Sequence, residues 1–552
     1  MCRANSIAFT ENMKIIISEP IGPRGVRELE SESGWRVVQL TAEAARNGQL
    51  AAELADADGL LVRSAVKVDA RLLAAAPRLR VIGRAGIGVD NVDLDAATRQ
   101  GIVVMNTPGA SAISVAELSL ALMISLARRI PYADATTRAG QWEKKRLEGS
   151  ELAGKTLGIL GLGRVGLELA RRARALEMEI IAYDPYIPPG VAREAAVKLL
   201  DFDAVLAASD FLSLHMALTP ETQHVLNAQA FQKMKPGLRL VNCARGELID
   251  EAALLAALES GQVAGAGLDV FAQEPPAGSP LLRHPGVIAT PHIAGSTHEA
   301  QERIGYRIAL QIKDYLAHGI IQNAVNVSSL GFEEFKELRP WMDLARKLGS
   351  LLVQLHAGAP LELALRYAGD WPESKTELIR NSAIAGLLAQ MGHEEANLVN
   401  AKSLAEARGI SLHEGKWNAP GALTRSLSIL LHTEQGDLLL GGTVYHGSAP
   451  RLVCMDDIDL DAPMGDYLLV LRNDDVPGVI GHIGTVLGRN GINIASFSLG
   501  RQEAGDATHE QKRGERPLRA LALVRVDGPV PAQVLEELRQ SPSIHLARFV
   551  KL

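Results

Sequence analysis

The chain has 552 residues, 47% of them hydrophobic, and a formal net charge of −7 at pH 7, so we expect three to four domains with apolar cores and no general nucleic-acid-binding surface. Its three cysteines, Cys2, Cys243 and Cys454, are too few and too scattered for a disulfide framework or a zinc site, which favours a reducing cytoplasm and no bound metal. No apolar run approaches the roughly 18 residues of a membrane span.

The first part of the chain alternates strand and helix patterns. Residues 1–12 are polar, lack the apolar region of a signal peptide, and are predicted to form a disordered extension. Strands are predicted at residues 15–17, 36–38, 59–62, 79–82 and 102–105, with helical patterns between them. This alternation predicts a parallel sheet with helices on both faces.

A long amphipathic helix is predicted over residues 114–130, with Ser114 as its N-cap and Glu117 completing a capping box. It leads through a basic loop at residues 141–146 to a second region of alternating strands and helices. In that region, strands are predicted at residues 157–160, 180–183, 204–205 running into 211–215, 238–242, 265–270 and 287–290.

A dinucleotide-binding fingerprint is the most informative stretch of this second region. Residues 157–166 read LGILGLGRVG, and the next strand ends at Asp184. The order strand, glycine turn, helix, strand and acid is the context that the fingerprint requires. Gly161, Gly163 and Gly166 would let backbone N–H groups approach a pyrophosphate, and Asp184 would bind both ribose hydroxyls and repel a 2′-phosphate. The sequence therefore predicts NAD rather than NADP; the alternative is a glycine-rich turn that binds nothing.

Three side chains with suitable chemistry follow later strands of this region. Arg245 presents a planar fork that matches a carboxylate, and His292 with Glu274 could form an acid–base unit. Hydride transfer needs a cofactor for the hydride and a base for the hydroxyl proton. Spacing alone does not show that these residues meet, so a surface histidine and salt-bridge partners remain the alternative from pattern alone.

The chain order predicts two doubly wound lobes, with the nucleotide domain inserted into the first. The predicted substrate-binding domain covers residues 13–110 and 296–327, including a helix over 296–318, and the NAD-binding domain covers residues 111–295. A cleft between two such lobes is where a substrate would meet the cofactor.

Two further domains are predicted downstream. Residues 331–461 combine helices at 341–355 and 377–388 with strands at 361–367 and 438–444, and carry no chemical motif. Residues 466–552 read βαββαβ, with a turn at 473–478 and a charged, mobile loop predicted over 503–516.

Several motifs together resemble one family. Residues 161–166, 242–246, 269–275 and 291–296, in this order, are similar to the D-isomer-specific 2-hydroxyacid dehydrogenases. Residues 62–65, 83–93 and 106–109 resemble the branch of that family that acts on D-3-phosphoglycerate, as does the C-terminal unit. The resemblance implies α/β architecture, with a Rossmann-type nucleotide domain inserted in a flavodoxin-like substrate domain, then an α+β intervening domain and a βαββαβ ACT domain.

The resemblance also implies roles for individual residues. The family's catalytic residues match Arg245, Glu274 and His292, with the histidine as proton donor or acceptor. Its cofactor contacts match the fingerprint glycines and Arg164, Val165, Asp184, Cys243, Ala244, Arg245, Asp269 and His292 through Gly295. Its substrate contacts match Arg63, Ser64, Arg84 and Gly86. Trp142 and Lys144 match positions that reach a neighbouring subunit's cleft, so we expect a homo-oligomer, a dimer or a tetramer.

ACT domains bind amino acids at paired interfaces. Asn473, Asp475 and Asn493 match positions that hold serine in regulated members of the family, and we expect L-serine to bind there and lower activity. The alternative is that residues 475–478 merely form a turn and helix start. His446, Arg451 and nearby basic residues of the intervening domain could bind an anion.

The expected reaction is therefore NAD-dependent oxidation of D-3-phosphoglycerate to 3-phosphohydroxypyruvate, the first step of L-serine biosynthesis. The alternatives are oxidation of another D-2-hydroxy acid, or a non-catalytic NAD-sensing protein on the same fold. One departure from the family pattern is visible: after His215 the family usually reads x-Pro-Leu, often with threonine at x, and this chain has Met216, Ala217 and Leu218. We expect altered cofactor affinity there without loss of activity.

Overall fold

The computed structural model describes residues 12–41, 43–44, 48–417, 424–502 and 518–552, with only the backbone described at 373–374. The predicted N-terminal extension, apart from Asn12, and the predicted charged loop at 503–516 lie outside the described residues.

The first lobe is built on a five-stranded parallel sheet with strand order β2-β1-β3-β4-β5, which is the flavodoxin-like order. Its strands are β1 (Lys14–Ile17), β2 (Arg36–Gln39), β3 (Gly59–Val62), β4 (Val81–Arg84) and β5 (Val103–Met105). Its helices are α1 (Pro23–Glu30), α2 (Gln49–Leu54), α3 (Ala70–Ala74) and α4 (Leu94–Arg99). Successive buried residues of β1 enter different cores, Ile15 and Ile17 on one face and Ile16 on the other, so both faces are covered.

The second lobe carries a seven-stranded parallel sheet with strand order β12-β11-β10-β9-β6-β7-β8. Its strands are β6 (Thr156–Leu160), β7 (Glu179–Tyr183), β8 (Lys198–Leu199), β9 (Phe211–Leu214), β10 (Leu238–Asn242), β11 (Val263–Leu268) and β12 (Val287–Ala289). Its helices are α5 (Ala112–Arg128), α6 (Ile130–Arg138), α7 (Arg164–Ala175), α8 (Pro189–Glu194), α9 (Phe202–Ala208), α10 (Ala228–Lys233) and α11 (Glu251–Glu259). Counted from β6, this is the Rossmann order with one added strand, which confirms the predicted nucleotide-binding fold.

Two chain crossings join the lobes and lie side by side. After β12 the chain returns to the first lobe through α12 (His298–His318), which packs on the first sheet through Ile304, Ile308 and Ile312. Ser114 Oγ lies 2.7 Å from Thr297 Oγ1, and Arg303 Nε donates to the Ala110 carbonyl at 3.1 Å. Any change of the angle between the lobes must therefore disturb both crossings.

The predicted capping box at Ser114 is wrong. Helix α5 begins at Ala112 with Ser111 as its N-cap residue, so Ser114 lies inside the first turn. The Ser114 hydroxyl instead contacts Thr297 on the other crossing. The strand predicted at 204–205 is also wrong, since Ala204 and Val205 lie in α9, whose Val205 and Leu206 are buried.

The intervening region is a six-stranded sheet, order β14-β13-β15-β16-β17-β18, packed against helices. Its strands are β13 (Pro360–Gly369), β14 (Ser411–Trp417), β15 (Arg425–Thr433), β16 (Gly436–Tyr445), β17 (Ala449–Met455) and β18 (Ile458–Pro463). Its helices are α13 (Phe332–Leu355), α14 (Glu373–Gln390) and α15 (Ala401–Ala407). The helix predicted over 341–355 begins nine residues earlier, at Phe332. Pro340 lies within α13 and does not end it.

The C-terminal region has the predicted βαββαβ order. Its elements are β19 (Tyr467–Asp474), α16 (Val479–Arg489), β20 (Ile494–Arg501), β21 (Arg519–Val526), α17 (Ala532–Arg539) and β22 (Ile544–Lys551). The four strands form an antiparallel sheet with order β20-β21-β19-β22. Asn473 and Asp474 belong to β19, so the turn predicted from residue 473 starts later than expected.

Within the described part of the chain, no helix is long and apolar enough to cross a membrane.

Candidate active site

The three predicted catalytic residues follow neighbouring parallel strands of the second lobe. Arg245 follows β10, Glu274 follows β11 and His292 follows β12, so all three lie at the carboxyl edge of the sheet, where ligands bind in doubly wound folds. His292 Nδ1 lies 2.7 Å from Glu274 Oε2. Because an ionised carboxylate only accepts hydrogen bonds, this contact places a proton on Nδ1 and leaves Nε2 able to take one.

A buried carboxylate fixes the loop that carries His292. Asp269 is 0% exposed; its Oδ1 accepts from Thr290 Oγ1 at 2.6 Å and from Ile293 N at 2.9 Å, and its Oδ2 accepts from Ala294 N at 2.9 Å. His292 itself adopts a left-handed backbone conformation with φ 52°. A non-glycine residue held in that region is found where the surroundings determine it, and Asp269 supplies those surroundings.

Glu274 and Arg245 are held by local backbone contacts. Glu274 Oε1 accepts from the Phe271 N–H at 3.2 Å, which leaves Oε2 for His292. The buried Asn242 amide donates to the Arg245 carbonyl at 2.8 Å and accepts from the Ala244 N–H at 3.0 Å. These bonds close the turn after β10, so the Arg245 side chain leaves the sheet edge in a defined direction.

Arg245 reaches across the cleft to the first lobe. Its Nη2 lies 3.5 Å from Asp90 Oδ2, in the loop after β4. Arg84 lies close to both Arg245 and Asp90. Burial lowers the pKa of the Arg84 guanidinium, and the positive charge of Arg245 lowers it further, whereas the negative charge of Asp90 raises it. Arg84 Nε is buried and has no hydrogen-bond partner among the described residues. Two mutually repelling guanidiniums with spare donors are suited to an anionic ligand.

The other predicted substrate residues of the first lobe are Arg63, Ser64 and Gly86, in the loops that follow β3 and β4. Arg63 donates to Pro20 O at 3.2 Å and to the Gln301 side chain, and its own backbone N–H is held by Glu19. Ser64 is exposed next to it. Gly86 has φ 151°, and a Cβ there would come within 1.5 Å of Arg84 Nη1, so only glycine lets the Arg84 side chain fold over the loop.

The glycine turn fits a dinucleotide by three separate observations. Gly161 has φ 93°, and a Cβ there would press on the backbone of His215 at 2.8 Å. Gly163, the N-cap residue of α7, faces open space, with nothing within 4 Å of the position that a Cβ would take. A Cβ at Gly166 would come within 2.4 Å of the Gly161 carbonyl, so this glycine allows helix and strand to pack closely. These are the tight turn, the open approach and the close packing that a pyrophosphate at a helix N-terminus requires.

Asp184 lies directly after β7, where the ribose of the adenosine half would bind. Its Oδ2 accepts from Leu162 N at 2.8 Å, and its Oδ1 accepts from Tyr186 N at 2.9 Å. These contacts orient the carboxylate and leave lone pairs for hydroxyl groups. The residues present thus fit NAD at both the pyrophosphate and the ribose.

The other predicted cofactor residues follow the same edge. Arg164 begins α7 and donates to the Pro108 carbonyl in the first crossing, and Val165 follows it half-buried. Cys243 and Ala244 lie in the turn after β10; burial raises the pKa of the Cys243 thiol to about 12, so it stays a neutral thiol. The Gly295 carbonyl accepts from Gln301 Nε2 at 2.9 Å.

The departure from the family pattern lies at the end of β9. His215 is half-buried, its Nε2 lies 2.9 Å from Ser213 Oγ, and burial lowers the pKa of its imidazole to about 4. Met216 packs against the apolar core of the second lobe.

Among the described residues, Lys144 makes no hydrogen bond or ion pair with a residue of this cleft. It lies exposed in a single 3-10 turn, Lys144–Arg146, beside Trp142, which is 84% exposed.

The C-terminal region contains a cavity of about 310 Å³ between β19, α16 and β20. Asn473 and Asp475 line it, and Asn473 is only 4% exposed. Asn493 lies outside this lining, and its amide donates to Asp527 Oδ2 at 2.6 Å. In the intervening region, Arg451 is paired with Asp461, whereas His446 is exposed.

Five residues that shape the site were not identified from the sequence. Asp90 faces Arg245, Glu19 and Gln301 fix the Arg63 segment, and Asn242 closes the turn before Arg245. Asn91 adds two bonds, to the Arg63 and Val66 carbonyls at 2.8 and 2.7 Å. The polar residues 90–91, in the loop that follows β4, were a usable signal, because strand ends in one lobe face strand ends in the other.

Comparison with known proteins gives three family matches. Residues 120–294 match the NAD-binding domain of D-isomer-specific 2-hydroxyacid dehydrogenases. Residues 337–456 match the intervening domain of D-3-phosphoglycerate dehydrogenase, and residues 467–542 match the ACT domain.

Two proteins named D-3-phosphoglycerate dehydrogenase are similar to this chain over nearly its whole length. The D-3-phosphoglycerate dehydrogenase of Archaeoglobus fulgidus is 40% identical over 98% of this chain and 100% of its own length. That of Bacillus subtilis is 35% identical over 98% of this chain and 99% of its own length.

Among solved structures, a glyoxylate reductase from Paecilomyes thermophila is 34% identical with a TM-score of 0.51, and covers 57% of this chain and 98% of its own. The NAD-dependent formate dehydrogenase of Staphylococcus aureus in complex with NAD is 28% identical with a TM-score of 0.50, covering 58% of this chain and 100% of its own.

Proposed function

The chain belongs to the D-3-phosphoglycerate dehydrogenase family, and from that premise we propose that it oxidises D-3-phosphoglycerate to 3-phosphohydroxypyruvate, the first step of L-serine biosynthesis. It is an NAD-dependent oxidoreductase of the 2-hydroxyacid dehydrogenase type. The observation that carries the proposal is the 2.7 Å contact between His292 and Glu274 at the strand edge from which Arg245 also projects.

His292 and Glu274 would perform the proton step. NAD, when bound, supplies the acceptor for the hydride that leaves C2 of the substrate. His292 Nε2 takes the proton of the C2 hydroxyl, so that the carbon–oxygen double bond forms as the C–H bond breaks. Glu274 holds the Nδ1 proton and faces the positive charge that develops on the imidazole. In the reverse direction the same Nε2 returns the proton.

Arginines of both lobes would bind the two anionic ends of the substrate. Arg245 is proposed to hold the carboxylate next to the reacting carbon, since its fork matches a carboxylate. Arg63 and Arg84 supply the cationic environment for the phosphate, with Gly86 allowing the approach. We also propose that the chain forms a homo-oligomer, in which Lys144 of a neighbouring subunit would add a further positive charge to this cleft. We propose a cytoplasmic location for the protein.

The match to an ACT domain indicates a small-molecule effector. We propose that the effector is L-serine and that it lowers turnover by binding at the C-terminal cavity. The buried Asn473, whose Oδ1 has no hydrogen-bond partner among the described residues, supports a ligand there with an N–H or O–H donor.

A substrate panel tests the proposed reaction. NADH formation should be measured with D-3-phosphoglycerate, D-glycerate and D-lactate, with and without L-serine. We expect D-3-phosphoglycerate to be turned over with the highest kcat/KM, and L-serine to reduce that rate. A higher kcat/KM for D-glycerate or D-lactate would instead support oxidation of another D-2-hydroxy acid.

A further inference from the structure

The effector cavity of the C-terminal region contains a charged pair of opposite sign. Arg501 Nε, at the end of β20, lies 3.3 Å from Asp475 Oδ1, and both residues line the cavity. The Arg501 side chain is 67% exposed and that of Asp475 is 24% exposed, so the pair lies at the mouth. Exposed ion pairs of this kind are weak and open at little cost.

The rest of the lining sorts into a polar anchor and an apolar wall. Asn473 Oδ1 is buried and unpartnered, while its Nδ2 donates to the Asp474 carbonyl at 2.7 Å. A donor from a ligand would satisfy this buried acceptor. The remaining lining side chains, apart from the glycine, are apolar, with Ile480, Ile483, Phe497 and Leu499 the largest of them.

We propose that Arg501 is the residue that binds the effector's carboxylate, so that Arg501 and Asp475 together recognise an amino-acid zwitterion. The inference rests on the proposed effector function of this cavity. An α-ammonium group takes the place of Arg501 beside Asp475, and an α-carboxylate takes the place of Asp475 beside Arg501. The Arg501–Asp475 pair thus separates to hold both charged groups of one ligand.

Charge balance favours this assignment over binding by one end only. A ligand with only an ammonium group would pair with Asp475 and leave Arg501 without its partner. A ligand with only a carboxylate would leave Asp475 in the same position. A zwitterion satisfies both and adds an N–H donor for Asn473 Oδ1, which makes a free amino acid the matching chemical class.

The first turn of α16 is the competing site for the carboxylate, because helix N-terminal N–H groups bind anions. The two assignments differ in what Arg501 contributes. If α16 alone holds the carboxylate, replacing Arg501 should not change the ratio between the affinity for an amino acid and the affinity for its amide.

A ligand-by-variant comparison tests the role of Arg501. Calorimetry with L-serine and with L-serinamide, which lacks the carboxylate, should be done on the wild-type chain, Arg501→Gln and Arg489→Gln. Arg489 is an exposed arginine at the end of α16, outside the cavity lining, and serves as the matched control. All three should keep the same basal turnover, because neither arginine lies near the cleft between the lobes.

We expect the wild type and Arg489→Gln to bind L-serine at least about tenfold more tightly than L-serinamide, and Arg501→Gln to lose most of that preference. Retention of the full preference by Arg501→Gln would overturn the role of Arg501. Absence of L-serine binding to the wild type would overturn the proposed effector itself.

Discussion

Glu274 Oε2 and His292 Nδ1 lie 2.7 Å apart although they follow different strands of the nucleotide-binding sheet. Both side chains are partly exposed, 38% and 51%, so the pair faces the cleft and not the core. Its consequence is a fixed imidazole tautomer with Nε2 available to the substrate.

Replacement of His292 by glutamine should remove the proton acceptor while keeping a polar side chain of similar length. We expect kcat to fall by about 100- to 10,000-fold, the usual contribution of a positioned acid–base group. Steady-state kinetics in both reaction directions would measure the loss. Full turnover by this variant would contradict the assignment of the proton step.

Glu274→Gln loses the negative charge and leaves one acceptor oxygen for two donors, the His292 Nδ1–H and the Phe271 N–H. Since a charge-assisted hydrogen bond becomes a neutral one, we expect a decrease of about tenfold in kcat, much smaller than for His292→Gln, with KM nearly unchanged. Glu251→Gln is a useful control, because Glu251 accepts from the backbone of Ala272 in the same loop without touching His292. Equal losses in both variants would mean that only loop structure is affected.

Asp269→Asn should impair positioning of the His292 loop. The carboxylate accepts three hydrogen bonds while fully buried, and an asparagine would turn an N–H group toward one of those donors. We expect a loss of about 1–3 kcal/mol in the local stability of the loop, and a lower kcat. Hydrogen exchange of the Ile293 and Ala294 amides would report the first and kinetics the second. Thr290→Val, which deletes only the hydroxyl donor, should show the smaller effect on both.

His215 should make the stability of the chain depend on pH. Burial lowers its pKa to about 4, below the value of about 6.5 in an unfolded chain. The unfolded chain therefore binds more protons between these values, and stability falls as pH decreases through this window. Between pH 7.5 and 5 we expect the wild type to lose about 2 kcal/mol more than His215→Gln. Chemical denaturation of both proteins at the two pH values measures the difference, and parallel pH dependences would argue against a buried neutral imidazole.

Met216→Thr introduces a hydroxyl directly after His215, at the position where the resemblance leads us to expect one. We expect a modest decrease in the NAD dissociation constant and continued activity, because Met216 also packs against the core and its loss offsets part of the gain. Fluorescence titration with NADH or calorimetry with NAD would measure it. An unchanged dissociation constant would show that the missing hydroxyl does not matter.

The dinucleotide fold was readable from the sequence because its signals are local. Gly161, Gly163 and Gly166 each have a distinct steric reason, and Asp184 follows the next strand as the pattern requires. The order of the parallel strands then follows from general rules of doubly wound folds, and brings the ends of β10, β11 and β12 to one edge.

The parts that sequence did not predict depend on contacts between distant segments. Ser114 looked like an N-cap because a serine three residues before a glutamate is a local signal, but its hydroxyl is used by Thr297 across the crossing. The approach of Arg245 to Asp90 depends on the relative position of the lobes, and the Asp475–Arg501 pair depends on which strands flank the cavity. The spacing of residues along the sequence does not predict these contacts.

We propose that the cleft binds a phosphorylated 2-hydroxy acid, so the ratio of kcat/KM for D-3-phosphoglycerate to kcat/KM for D-glycerate should be well above one. The ratio should be measured for the wild type, Arg63→Gln and Arg71→Gln, the last being an exposed arginine of α3 in the same lobe. If Arg63 binds the phosphate, its replacement should lower the ratio by about 10- to 100-fold through loss of a charge-assisted bond, and Arg71→Gln should leave it unchanged. A wild-type ratio near one, or an equal fall for both substrates in Arg63→Gln, would contradict the account.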